Sequence, residues 1–450
     1  MPLAPVPLRR SLTTISLVFV MFFNVSGGAF SIESLVAETG PGIAIAMLLL
    51  VPLCFSLPET LIVGELASML PVEGGYYRWV QRAFGPFWAF QNGWCTWVYS
   101  LLDMAIYPVL FNQYLAWFVP DLSSAARWAI SLFVIWGATL VNLRGAGRVG
   151  QLSVAAGVFV LGAFAAMALV ALPRASGVPW EPFLKPGGNV LGGAGVGLSI
   201  ALWNYIGWDN ASTALGEVRD GGRAYPRALA MALPLVTLGY LIPLLPALAA
   251  TDWSTWRDGG WPDIAVAAGG AWGPLVASWL AVAGMVSAVA LFNALLLAYS
   301  RIPLALAKDG FLPVAIGRTS AHGVPRNAVL AAAVCYSIFA LLPFKGLVVA
   351  DVLLYSFALS LEFGALVALR RSEPGLRGSF RLPFGWQGVA ALTVLPLAVL
   401  LLVIVLGVQD GEYGLPAILL AVGAAALGPL VYRWADRGRL GRLEAAQGVR

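Results

Sequence analysis

Apolar runs of roughly 20 residues recur from one end of this 450-residue chain to the other, the length that carries an α-helix across the hydrocarbon core of a bilayer. That repetition leaves few folds open. With 60% apolar and 11% charged residues, the chain lacks the charged surface of a water-soluble domain, which is about 25% charged. A membrane β-barrel needs segments of about ten residues with alternating polarity, and the runs here are continuous. The sequence predicts an all-α polytopic membrane protein with 12 transmembrane helices. They lie near 12–38, 41–68, 86–118, 127–142, 149–172, 190–217, 227–250, 271–299, 327–343, 347–369, 386–408 and 414–434.

Charge placement orients these runs. With the N-terminus in the cytoplasm, only Arg127, Arg174, Lys185, Arg257 and Lys345 of the 27 Lys and Arg residues fall outside. Such a bias obeys the positive-inside rule and puts both termini in the cytoplasm. The net charge of +5 therefore reflects topology and is no argument for nucleic acid. Arg9 and Arg10 before apolar residues 12–23 imitate a secretory leader, but the spans that follow argue that this one is kept as an anchor. Absence of a targeting signal and abundance of arginine point to a bacterial inner membrane.

Cys54, Cys95 and Cys335 lie far apart in apolar runs, and the single histidine, His322, falls in a polar loop. No spacing here holds a metal or builds a nucleophile–base pair, so neither metal, cofactor nor enzyme activity is expected.

Two runs are interrupted. The first contains "NVSGGAFSIE" at 24–33 and the sixth "WNYIGWDN" at 203–210. A break frees backbone groups whose exposure to hydrocarbon costs several kcal/mol each, so it survives only inside protein or beside a cavity. The breaks are five runs apart, and an odd number of spans inverts the second group. Matched breaks in inverted halves mark the binding site of a secondary transporter. The predicted organisation is a single transporter domain over 1–434, with a first repeat at 12–172, a second at 190–369, two additional helices at 386–434 and a cytoplasmic tail at 435–450. Close packing of Gly27 and Gly28 is the competing reading; it does not account for Asn24, Ser26 and Glu33 beside them.

Five acids stand inside the runs: Glu33, Glu59, Asp103, Asp209 and Glu362, with no Lys or Arg at comparable depth. A charge at mid-bilayer costs at least about 2.5–3.5 kcal/mol, so such residues face the interior and function there. Unpaired acids either carry a proton or await a cation. Asp209 is also suited to cap the half-helix that follows it, and Glu59 and Glu362 to bond neighbouring helices. Glu33 is placed towards the outer end with some hydration, and Glu65 and Glu217 near the inner interface, either solvated or paired with loop arginines. Trp203, Tyr205 and Trp208 at the second break offer faces to an ammonium group; Tyr99, Tyr107 and Trp97 in the third run are given less weight.

The stretches "VSGGAFSIE", "PETLIVGELASMLPVEGGYYRWVQRAFGPFWAFQNGW", "DMAIYPVLF", "WNYIGWDNASTALGEV" and "SRIPLALAKDGFLP" together resemble the amino acid–polyamine–organocation (APC) permeases. Within them the sequence is most similar to the branch of polyamine uptake and L-type amino acid transporters. The resemblance covers residues 12 to about 385. It implies a LeuT-like fold, with a five-plus-five inverted repeat, discontinuous helices 1 and 6, and alternating access at a site between spans 1, 3, 6, 8 and 10. It gives Ser26, Gly27 and Gly28 the role of presenting backbone amides to a carboxylate. Glu59, Asp103, Trp208, Asp209 and Glu362 stand where amines are received. The loop "EVRDGGRAYPRAL" lacks the family's usual lysines, and span five lacks the lysine that marks proton coupling in some members.

The expected function is secondary transport of an amino acid or polyamine, with a cationic amine and protons, or else sodium, as the coupled pair. A neutral amino-acid permease or exchanger is the alternative. A non-transporting sensor or a channel is less consistent with inverted broken helices and short loops. The expected substrate-binding residues are Ser26, Gly27, Gly28, Glu59, Asp103, Trp203, Tyr205, Trp208, Asp209 and Glu362.

Overall fold

The computed structural model describes residues 8–187, 190–320, 323–340, 347–409 and 414–447. His322 and Lys345 lie outside the described residues. The first apolar run is two helices, α1 (Thr14–Val25) and α2 (Ile32–Thr39), with residues 26–31 non-helical between them. Thr13 and Ser16 form a reciprocal capping box that starts α1. Gly40, at φ 86°, ends α2, and Pro41 opens α3 (Pro41–Val51). This is the glycine-stop, proline-start asymmetry expected of helix ends. A π-helical stretch over Pro52–Ser56 joins α3 to α4 (Leu57–Met69) without a break in direction of the run.

A short amphipathic helix, α5 (Gly75–Phe84), precedes the long α6 (Pro86–Leu115). Then come α7 (Ser124–Asn142) and α8 (Ala146–Ala171). The sixth run is α9 (Val190–Trp203), an irregular segment, and a 3-10 helix over Asn210–Glu217. It is followed by α10 (Gly221–Ala250), α11 (Trp261–Gly269), α12 (Gly273–Tyr299) and α13 (Arg301–Lys308). The chain closes with α14 (Arg326–Phe339), α15 (Leu347–Ser372), α16 (Trp386–Gln409) and α17 (Gly414–Gln447). No strand occurs among the described residues; one isolated bridge pairs Leu12 with Val218.

Among the described residues, nine helical stretches are long and apolar enough to cross a membrane. The remaining expected runs are the two broken ones and the run holding α14, whose described helix is 14 residues long. Interruption, not polarity, makes the first and sixth fall short. The helix α17 continues to Gln447, so the stretch expected to be a tail after residue 434 is helical.

The centre of the bundle is α12 packed on α6 and α8, with α1, α10 and α15 around it. On the periphery, Phe133, Leu169, Leu401 and Leu430 stand exposed. Apolar side chains lining long helices at this density need hydrocarbon around them, and the chain is a multi-pass membrane protein.

One end of the bundle is basic. There α5 meets the 3-10 helix so closely that Gly75, at φ 38°, has no room for a Cβ against the backbone of Ser212. Gly74 N–H donates to the Thr213 carbonyl at 2.9 Å. This contact explains why two glycines precede Tyr76 and Tyr77. At the same end, Arg301 pairs with Glu217 and Arg370 with Glu65, all four side chains buried. Of the two states expected for Glu65 and Glu217, solvated or paired with arginines, the structure shows the pairing, with both acids buried and the arginines on α13 and α15 instead of in loops.

Candidate functional site

The two breaks touch. Gly207 sits at φ 102°, and a Cβ there would approach the Asn24 carbonyl oxygen to 2.6 Å. Only glycine fits that approach. The backbone groups freed at each break find side chains from surrounding helices. Tyr240 donates to the Asn204 carbonyl at 2.6 Å, Tyr225 to that of Trp208 at 2.8 Å, and Ser287 to that of Gly27 at 2.6 Å. The Gly207 N–H donates to the Tyr355 hydroxyl at 3.0 Å. The break is thereby paid for in hydrogen bonds, as a membrane interior requires.

Between the breaks lies a small cavity of about 30 Å3. Its walls are Asn24, Val25 and Ser26 from the end of α1; Tyr99, Asp103 and Tyr107 from α6; Trp203, Ile206, Gly207 and Asn210 from the second break; Leu291 and Tyr299 from α12; and Asp351 and Tyr355 from α15. Asp103 accepts from Tyr107 at 2.6 Å and from Tyr299 at 2.9 Å. Asp351 is buried and its Oδ1 has no partner among the described residues; both polar atoms of Asn24 are likewise unpartnered. Among the described residues, no Lys, Arg or His lines this space. Two carboxylates among aromatic rings and hydroxyls suit an ammonium group, which ring faces attract by about 0.5–2 kcal/mol.

Of the expected site residues, Ser26, Asp103 and Trp203 line the cavity and seven do not. Gly27 backs onto Ser287 and Leu291 of α12, and Gly28 onto Val160 and Phe164 of α8. Close packing therefore does act at these glycines. The amides of 26–28 already have partners: Ser26 and Gly27 donate to the Phe22 carbonyl at 2.8 and 3.0 Å, and Gly28 to the Ser26 hydroxyl at 3.1 Å. Tyr205 points away, donating to the Leu48 carbonyl and packing on Tyr240. Trp208 is fully buried outside the cavity wall.

Glu59, Asp209 and Glu362 form a second acid group behind Tyr355. The Tyr355 hydroxyl lies 2.9 Å from Glu59 Oε1 and 2.9 Å from Asp209 Oδ1. Asn92 donates to Glu362 Oε1 at 3.4 Å. Asp209 takes no capping bond from the 3-10 turn after it. Glu33 is not hydrated: it is fully buried and accepts from the Gly259 N–H at 3.0 Å and from Tyr114 at 3.4 Å.

Asp351, Tyr299, Tyr355 and Asn210 were missed by sequence reasoning, and Tyr99 and Tyr107 were weighted too low. Their signal is helical spacing. Asn92, Thr96, Tyr99, Asp103 and Tyr107 recur every three or four residues, giving α6 one polar face. Asp351, Tyr355 and Glu362 do the same on α15. Trp97, off that face, packs on Tyr336.

The family described as amino acid permease matches residues 12–425. Polyamine transporter PUT1 of Oryza sativa subsp. japonica is 36% identical over 422 residues, which is 93% of this chain and 77% of the relative. Polyamine transporter RMV1 of Arabidopsis thaliana is 34% identical, covering 93% of this chain and 84% of its own. The branched-chain amino acid permease BcaP of Lactococcus lactis subsp. cremoris is 24% identical over 68% of this chain and 70% of its own. A cavity between two touching helix breaks, in a chain matched from residue 12 to residue 425, leads to one assignment: this is a transporter, not an enzyme, and it belongs to the amino acid permease family.

Proposed function

We propose that the protein imports a cationic amine, a polyamine or a basic amino acid, by alternating access at the cavity between the breaks, and that protons are the coupled ion. The supporting observation is the pair Asp103 and Asp351, two carboxylates on one cavity with no cationic side chain beside them among the described residues. A neutral amino acid would bring a carboxylate into that field with a single ammonium to offset it, whereas a polyamine or a basic amino acid brings a second cation. The backbone amides of Ser26, Gly27 and Gly28, which already have partners, favour the polyamine of these two. The named activity of the two plant relatives agrees with the amine reading.

The same proposal carries the organisation read from the sequence. Twelve spans, with repeats at 12–172 and 190–369 in opposite orientation, bring the first and sixth runs together at mid-bilayer. Residues 386–434 add two helices, and the basic end, both termini included, faces the cytoplasm of a bacterial inner membrane. An inside-negative potential then pulls a dication inward by about 4.6 kcal/mol per 100 mV, twice the single-charge value.

Uptake of labelled putrescine into proteoliposomes under an inside-negative potential tests this. Asp103→Asn and Asp351→Asn are each expected to lower it at least tenfold, with leucine unable to compete. Robust leucine uptake with no putrescine uptake, or putrescine uptake indifferent to both substitutions, would overturn the reading.

A further inference from the structure

We propose that Glu59, Asp209 and Glu362 are the store of the coupling proton, and that Tyr355 is the positioning residue between this store and the amine cavity. The inference rests on the proton-coupled reading above and divides the acids into two sets: Asp103 and Asp351 for the substrate, the other three for the proton.

A hydrogen count carries it. A tyrosine hydroxyl has one hydrogen to give and two lone pairs to receive. The Gly207 N–H, at 3.0 Å, occupies one lone pair of Tyr355. The hydroxyl's own hydrogen reaches one of the two carboxyl oxygens at 2.9 Å. The other carboxyl oxygen, at the same distance, then faces the second lone pair. Two acceptors at that separation repel unless one brings a hydrogen, so Glu59 or Asp209 is a carboxylic acid donating to Tyr355. The oxygen is then fully coordinated.

Among the described residues, nothing cationic relieves the cluster. The titratable groups that face it are Tyr76 from α5, Tyr99 from α6, Tyr225 from α10 and Tyr355 from α15. Asn92 is the neutral donor. The helix α16, which packs on α4, carries no titratable side chain. Glu59 Oε2, Glu362 Oε2, Thr96 Oγ1 and the Tyr76 hydroxyl are buried without partners among the described residues. Tyr76 adjoins Tyr77, which bonds Asp309 at the basic end. The proposed route for the proton runs past these groups towards that end.

In the transfer step the acid's O–H bond breaks. Its proton passes to water at the basic end, and the electron pair stays on the carboxyl oxygen. Tyr355 then gives its own hydrogen to one carboxylate while the other faces its lone pair, an arrangement that favours taking up a new proton. Since Tyr355 also lines the cavity, an amine that moves this hydroxyl changes how well the cluster holds its proton.

The test separates exchange from accumulation. Proteoliposomes of the full chain are loaded with unlabelled putrescine to read counterflow, and separately exposed to a pH gradient, acid outside, without membrane potential, to read accumulation. Glu59→Gln and Asp209→Asn are expected to cut pH-driven accumulation at least tenfold while counterflow falls no more than about threefold. Infrared spectra give a second readout: a protonated-carboxyl band in the wild type that shifts in D2O and is absent from at least one of the two variants. Accumulation that responds to the pH gradient as in the wild type in both variants would overturn the proposal. So would a protonated-carboxyl band that persists undiminished in both variants. If the wild type shows counterflow but no pH-driven accumulation, the proton reading itself fails. If it shows no putrescine counterflow, the amine reading fails first.

Discussion

At the basic end of the bundle, Arg301 Nη2 stands 2.7 Å from Glu217 Oε1, and neither side chain reaches solvent to any extent. At the opposite end, Glu33 is buried just as fully, yet its partners are a backbone N–H and a phenol. Trp261 beside it donates its indole N–H to the Ala29 carbonyl at 2.7 Å. The cations of that end stay at the surface: Arg257 pairs with Asp263 and Lys185 with the Ala37 carbonyl. One seal is built from buried ion pairs, the other from hydrogen bonds to a loop. The difference lies in what a single lost partner leaves behind. At the basic end it leaves a bare charge in a medium that solvates charge poorly; at the opposite end it leaves a dipole.

The largest effect should therefore come from Arg301→Met, which keeps the side-chain volume and strips Glu217 of its cation. Breaking a buried pair from one side costs about 3–5 kcal/mol, to be read as a fall in the thermal midpoint of the purified protein. Adding Glu217→Gln should recover most of that fall, because the cost is the orphaned charge. A double variant no more stable than Arg301→Met would break the comparison.

Glu33→Ala should be felt less. It strands the Gly259 N–H and the Tyr114 hydroxyl, about 1–3 kcal/mol for an unsatisfied buried group. Glu33→Gln keeps an acceptor and should stay nearer the wild type. The sharper readout is labelling of a cysteine placed at Ser34, whose hydroxyl donates to Asp258 at 2.9 Å. Glu33→Ala should speed that labelling, and Arg301→Met should not. Equal acceleration by both would mean that the two seals open as one.

Much of this asymmetry was written in the sequence as position along the runs. Glycines with polar neighbours at 24–28 and 203–210 located both breaks, and arginine pairing is one of the two states the pattern allows for Glu65 and Glu217. What pattern alone left open was direction. A residue at a break faces inward or backward according to how the second break docks on the first. That docking, set by Gly207 against Asn24, turned Trp203 to the cavity and Tyr205 to α10. Asp351 escaped because it stands near the beginning of its run, where an acid reads as solvated. Glu33 escaped in the opposite way: position near a run's end implied water, but the loop bearing Gly259 folds over it. Long-range closure of this kind leaves no local periodicity to read.

The smallest expected effect belongs to the rim of the basic end and sets the scale for the rest. Lys308 pairs with Glu73 at 2.8 Å, and its side chain keeps 39% of its exposure. Water solvates Lys308 there, salt screens the pair, and holding a long side chain in one rotamer offsets part of the attraction. Exposed pairs of this kind contribute about 0–1 kcal/mol. Lys308→Ala should thus move the thermal midpoint less than Glu33→Ala does, and the shift should shrink further as salt is raised. Arg301→Met should keep most of its deficit under the same titration, because ions do not reach a fully buried Glu217. A salt response of equal size in the two variants would place both pairs in water, and the contrast between the two ends would lose its electrostatic basis.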